Sequence, residues 1–238
     1  MSRRKLSFID HLEDLRLRLI YSIACVAIFS IIGFFFSHKI LNLIIQKSLL
    51  QTAYFFSPIE AFTAQIKVAI FLGILVSFPF ILHQTWTFIG PGLTKKERKV
   101  SISYLALGIV LFIIGILFGY FVLFVYGLKF LLSFGSEFLQ PMINISKYLS
   151  FMFWCLLGCG FLFQLPLLLF FLIKLDIIDI NTITKHRAEA MIAVLILCAV
   201  ITPTSDFFTL LLISVPLLLL FELSILAARV SKRTKKTD

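Results

Sequence analysis

The chain has 238 residues, of which 60% are apolar and only 14% charged, and its mean hydropathy is +1.04. A soluble domain carries roughly 25% charged residues, so a water-soluble core is excluded and the solvent must be lipid. The net charge of +10 does not signal nucleic acid, because Lys and Arg gather at the ends of apolar runs and form no basic stripe interleaved with exposed aromatics.

Residues 6–18 have helical periodicity. Leu6, Ile9, Leu12 and Leu15 recur at spacings of three, while Asp10, Glu13, Asp14, Arg16 and Arg18 take other faces. The pattern predicts an amphipathic helix lying at the membrane surface, with Ser7 as its cap and Asp10 at the capping-box position. The acidic residues inside this segment, and the length of the apolar run after it, argue against a cleavable signal peptide.

A first span is expected over 19–36, then an external segment over 37–60 with a second amphipathic patch at Ile40–Leu50. The second span starts near Glu60 and ends near Ile89, with Pro79 expected to kink it. It closes on Trp86 and Phe88, residue types that anchor at interfaces, followed by Pro91-Gly92 and the charged loop Lys95–Lys99. The third span runs from Val100 to about Leu132 and carries Gly115-xxx-Gly119, a spacing that permits close helix approach. After a polar external loop with Pro141, the fourth span covers 151–174, with Gln164-Leu165-Pro166 near its middle. Residues Leu175–Arg187 read as an internal loop.

The fifth run, 188–201, rises only about 21 Å, less than the ~30 Å hydrocarbon core, so either the bilayer thins there or protein shields the helix. Thr202-Pro203-Thr204-Ser205-Asp206 is a turn, and the sixth span covers 207–228. The tail, 229–238, is basic. Cys25, Cys155, Cys159 and Cys198 lie inside apolar runs and read as small packing residues. No second domain or internal repeat is visible, so residues 1–238 read as one membrane domain: all-α, with six transmembrane helices.

Six spans place both termini on one side. That side holds 17 of the 22 Lys and Arg residues, all but Lys39, Lys47, Lys67, Lys129 and Lys147. The positive-inside rule makes it the cytoplasmic side or its organellar equivalent. Arg16 and Arg18 there are suited to lipid phosphates or to holding the surface helix. On the opposite side Gln65 and Lys67 are expected to snorkel outward. Glu222, near the cytoplasmic end of the last span, is expected to pair with Arg229. The four histidines show no metal spacing, HLEDL is not HExxH, and no Walker, Ser-His-Asp or phosphate-loop pattern occurs, so neither a cofactor nor a metal is expected.

The motifs carry more. His11-Leu12-Glu13-Asp14-Leu15-Arg16-Leu17-Arg18-Leu19 resembles the HLxELRxRL motif of the TatC family, the multi-spanning receptor subunit of the twin-arginine protein translocase. Ser57-Pro58-Ile59-Glu60-Ala61-Phe62 resembles its SPxExF segment. Pro79, Gln84-x-Trp86-x-Phe88, Pro91-Gly92-Leu93 and Glu97-Arg98 resemble its second span and first cytoplasmic loop. Thr202-Pro203 with Asp206, Pro216 and Phe221-Glu222 resemble its last turn and span.

The resemblance implies a cup-like bundle that is no enzyme. It binds twin-arginine signal peptides and works with small single-span TatA/TatB-type subunits. Together they export folded precursor proteins on the proton-motive force, within a homo-oligomeric complex in a bacterial inner membrane or a thylakoid.

Two guanidinium groups match two carboxylates in bidentate geometry. Glu97 in the first cytoplasmic loop and Asp14 or Glu13 on the surface helix share the terminal side. By resemblance Glu97 is the primary contact, Asp14 aligns with the motif's second acidic position, and Phe88 shapes the binding surface. Arg16 belongs to the same motif. Without the resemblance Glu97 reads as a counter-charge to its cationic loop. Thr202, Pro203 and Asp206 fall, by resemblance, where the small partners dock, although a helix cap by Asp206 is compatible with that. Pro58, Glu60, Pro79 and Pro91 read as structural. Many relatives have Glu where this chain has Gln164, which cannot ionise and also suits an interhelical hydrogen bond. Leu210 stands where many have Gln. A small-molecule transporter is disfavoured by the lack of inverted repeats, and an intramembrane enzyme by the lack of paired mid-membrane catalytic residues.

Overall fold

The structure, a computed structural model, describes residues 8–48, 56–89, 95–135, 142–174, 178–202 and 206–234. Among these the chain is all-helical: α1 (Phe8–Gln46), α2 (Pro58–Ile89), α3 (Lys95–Phe118), a π-helical turn (Gly119–Phe124), α4 (Val125–Leu132), α5 (Ile145–Leu162), α6 (Leu165–Lys174), α7 (Ile180–Lys185), α8 (Arg187–Ile201) and α9 (Phe207–Thr234). The helices follow from the absence of lipid hydrogen-bond partners: a spanning backbone must satisfy its own polar groups. Five stretches among the described residues are long and apolar enough to cross a membrane: Leu12–Gln46, Pro58–Phe88, Tyr104–Leu132, Ile145–Lys174 and Phe207–Arg229. The 15 residues of α8 rise about 22 Å. Its outer face, Ile192, Ile196 and Val200, is exposed, so the described chain itself does not shield this short helix.

The residues group into two compact units. One holds Met1–Ile109 with Ile143–Leu149, the other Val110–Met142 with Ser150–Asp238.

In the first unit α1 packs along α2. A methyl group on Gly73 would stand 2.8 Å from the Ser30 backbone nitrogen and 2.9 Å from its Cα, closer than real side chains come. Small residues at Ser30, Gly33, Ala69 and Gly73 thus let the two backbones meet, which is how helices associate in lipid, where apolar burial drives nothing. The boundary expected between a surface helix ending at residue 18 and a span starting at 19 is not a break: α1 runs unbroken through it, and the expected external patch at Ile40–Leu50 continues the same helix to Gln46. The expected kink residue Pro79 lies inside α2, and the helix continues through it.

In the second unit the Gly115-xxx-Gly119 ridge meets α5. A methyl group on Gly115 would stand 2.7 Å from the Cys159 carbonyl oxygen, and one on Gly119 would stand 2.8 Å from that of Cys155. The two cysteines share the glycines' four-residue spacing, and Cys155, Cys159 and Cys198 are buried free thiols, as packing residues are. The apolar run of the fourth span breaks where Pro166, the second residue of α6, has no N–H to offer the preceding turn. Phe163 and Gln164 fill the break: the Phe163 nitrogen donates to Cys159 and the Gln164 nitrogen to Phe161. Residues 175–187, read as a loop, contain α7, whose N-cap Asp179 accepts a hydrogen bond from the Asn181 nitrogen.

Candidate functional site

The residues singled out for binding sit at one end of the first unit, where the N-terminal turns of α1, the end of α2 and the beginning of α3 are found. Asp14 and Arg18 are four residues apart on α1, the spacing that places side chains on one face. Arg18 Nε donates to Asp14 Oδ2 at 2.8 Å, and the two side chains are 21% and 34% exposed respectively. Arg18 Nη1 also donates to Gln84 Oε1 on α2 at 3.1 Å. The motif arginine therefore bridges two helices and holds a carboxylate at the same time. Holding the surface segment, one of the roles expected for Arg16 or Arg18, falls to Arg18; Arg16 and Glu13 are exposed.

Two residues beyond Gln84, Trp86 is buried and stacked on Tyr104 of α3, with ring centroids 5.6 Å apart and planes 16° apart. It is a packing residue joining α2 to α3, and not the interfacial anchor its position at a span end suggested. Phe88, two residues beyond Trp86, is half-buried. Glu97 is seven residues before Tyr104, so its turn lies about 10 Å nearer the start of α3. The segment Lys95–Lys99, expected as a loop, is the first turn of α3. In the sequence Thr94-Lys95-Lys96-Glu97 has the capping-box spacing. Pro91 and Pro203 lie outside the described residues.

In the second unit Asp206 precedes α9, and its Oδ2 accepts from the Thr209 nitrogen at 2.7 Å. That is an N-cap. Thr202, at the end of α8, is buried and turns its hydroxyl back to the Cys198 carbonyl. Trp154 Nε1 on α5 donates to the Ile201 carbonyl, satisfying a free helix-end acceptor. Gln164 occupies the break between α5 and α6, half-buried.

One expected contact is corrected. Glu222 pairs with Arg187, 2.6 Å away, and not with Arg229. Arg229 instead donates to the Thr184 hydroxyl on α7 at 2.9 Å. Lys67, expected to snorkel outward, reaches back toward the start of α5, where its ammonium donates to Ser146. Sequence reasoning also missed Asn144 as a helix start, although Asn before an apolar run is a recognisable cap signal.

The family model for the Sec-independent protein translocase protein (TatC) matches residues 10–216. The chain belongs to the TatC family. A TatC protein of Carboxydothermus hydrogenoformans is 38% identical over 234 residues, covering 98% of this chain and 96% of that protein. The TatCy protein of Bacillus subtilis is 33% identical, with 98% and 92% covered. Among solved structures, one described as the twin arginine translocase receptor TatC gives a TM-score of 0.79 at 32% identity, covering 93% of this chain and 99% of that one. A second, of TatC in DDM, gives 0.78 at 34% identity. The chain is thus a multi-pass membrane protein of the Sec-independent translocase. Of the residues quoted from sequence, Asp14, Arg18 and Gln84 are joined by hydrogen bonds, Trp86 stacks on Tyr104, and Glu97 falls in the first turn of α3.

Proposed function

We propose that this TatC protein binds twin-arginine signal peptides at that end of the first unit and exports folded precursors with small single-span TatA/TatB-type partners. The Asp14–Arg18 pair carries the reading. The site already holds a guanidinium on a carboxylate at 2.8 Å, through Nε and a single oxygen. A ligand arginine offering two parallel N–H donors makes the stronger bidentate contact, so it can compete for Asp14. Glu97 supplies the second carboxylate. Lys95, Lys96, Arg98 and Lys99 around it repel a dibasic peptide, and only a specific pairing at Glu97 overcomes that repulsion. Glu13, Arg16 and Phe88 line the same end.

The reading places both termini in the cytoplasm and counts α8 as a sixth, short crossing. It sets the partner contact at Thr202, Pro203 and Asp206, and it takes the proton-motive force as the energy source. The protein works as part of a homo-oligomeric complex in a bacterial inner membrane or a thylakoid.

The test is photocrosslinking to the chain in membranes from a probe placed in the signal peptide beside its arginine pair, with RR and KK versions compared. An adduct that requires RR is the expected result. No adduct with either peptide, in a correctly inserted chain, rejects the reading.

A further inference from the structure

Far from the carboxylates discussed above, α2 begins with a second polar cluster. Glu60 Oε2 accepts two hydrogen bonds at 2.8 Å, from the Phe56 nitrogen and from Asn144 Nδ2. Asn144 Oδ1 in turn accepts from the nitrogens of Ser146, at 2.9 Å, and Lys147, at 3.2 Å. The amide orientation is forced: an ionised carboxylate only accepts, so Asn144 must turn its NH₂ to Glu60 and its oxygen to the free N–H groups opening α5. Two turns further along α2, Lys67 donates to Ser146 Oγ at 2.6 Å and to the Ser146 carbonyl at 3.0 Å.

One helix thus presents an anion and a cation, seven residues apart on the same face, and both close on the first turn of the same partner helix. Lys67 stands about 14 Å from the start of α2, at the edge of the continuous apolar run that begins with Val68. An ionisable residue at such depth is costly unless partnered, and marks function more often than packing. Small residues would join two helices in lipid at lower cost, as they do between α1 and α2.

We propose that Glu60 and Lys67 are positioning residues for export. They brace the start of α5 against α2 at the external face, opposite the signal-peptide site. The proposal rests on the translocase reading for its readout. It assigns these residues to a step after signal-peptide binding, because neither lies at the end that carries Asp14 and Glu97.

The experiment compares Lys67→Met, Lys67→Arg, Glu60→Met and Glu60→Gln in membranes. It measures inserted chain, RR-dependent crosslinking of the probe-carrying signal peptide, and export of a twin-arginine passenger. The Met variants match the native side chains in length but lack their polar groups; Arg and Gln keep a donor or an acceptor. The expected result is export down at least tenfold in both Met variants, near normal in Arg and Gln, with inserted chain and crosslinking within twofold of wild type throughout. Normal export in the Met variants overturns the brace. So does a fall in inserted chain, or in crosslinking, large enough to account for the lost export. Failure of the translocase reading is separately visible, as absence of an RR-dependent adduct in the wild-type chain.

Discussion

Arg187, at the first position of α8, closes both Nε and Nη2 on the same Oε1 of Glu222 in α9, each at 2.6 Å. With Arg229 bonded to Thr184, this ties the α7–α8 corner to the last helix. Arg187 is 55% exposed, so solvent screening limits the pair to about 1 kcal/mol or less. Glu222→Gln should lower detergent-solubilised stability by no more than that. The exchange Arg187→Glu with Glu222→Arg should recover most of it in a denaturation curve, and a double variant weaker than either single change would show that the two do not act as a pair.

The glycine ridge admits a sharper expectation. Gly115 meets the backbone of α5, with Cys159 O 2.7 Å and Gly160 Cα 2.9 Å from any added methyl group, and neither atom can swing aside as a flexible side chain can. Gly115→Ala should cost about 1–3 kcal/mol through overpacking, read as a fall in melting temperature in detergent. Shrinking the facing residue with Cys159→Ala should not rescue it, because the collision is with backbone.

Asp206 separates two roles that the sequence left superimposed. As an N-cap it should contribute about 0.5–2 kcal/mol, lost in Asp206→Ala. Asp206→Ser keeps a capping oxygen but loses the charge, so melting should stay near wild type. Copurification with a single-span partner then reports docking alone: if the serine variant binds partner normally, the carboxylate's charge has no part in docking.

At the signal-peptide end, Glu97→Ala should abolish RR-dependent crosslinking while leaving the chain inserted. Asp14→Ala should weaken peptide binding by about tenfold, equal to 1.4 kcal/mol and at the low end for a hydrogen bond to a charged group. Gln84→Leu, which removes only the second anchor of Arg18, should weaken binding less than Asp14→Ala. Peptide titration in detergent would check the order, and a larger loss in Gln84→Leu would mean that the bridge matters more than the carboxylate.

A similar comparison applies at the break between α5 and α6. Gln164→Ala should reduce export less than Glu97→Ala does, since an amide at that position cannot carry charge. An export assay showing complete loss would give Gln164 a role beyond packing.

Apolar runs in the sequence placed the long helices well, because lipid leaves a spanning chain few alternatives to hydrogen-bonded helix. The ends of α2, at Pro58 and Ile89, fell within two residues of expectation. What hydropathy could not supply was register between helices. Glu222 was matched to Arg229, two turns along its own helix, while its partner lies 35 positions away. Lys67 was read without a partner because its depth was readable and Ser146, which it meets, was not. The Asp14–Arg18 pair, by contrast, has the i, i+4 spacing of a helical ion pair and was legible in principle. It was read as two separate residues because the motif drew attention to a ligand. The π-helical turn at Gly119–Phe124 left no trace in hydropathy, which does not distinguish one apolar helix from another.

The unbroken course of α1 has a mechanical meaning. At 39 residues it is a rod of about 58 Å, nearly twice the hydrocarbon thickness, and it contains no proline to act as a joint. A stiff rod cannot bend one half and leave the other at rest. If the turn carrying Asp14 is tilted by a bound peptide, the far turn carrying Asn42 must swing as well. On the signal-peptide reading proposed above, α1 is thereby a lever with Asp14 on one arm and Asn42 on the other.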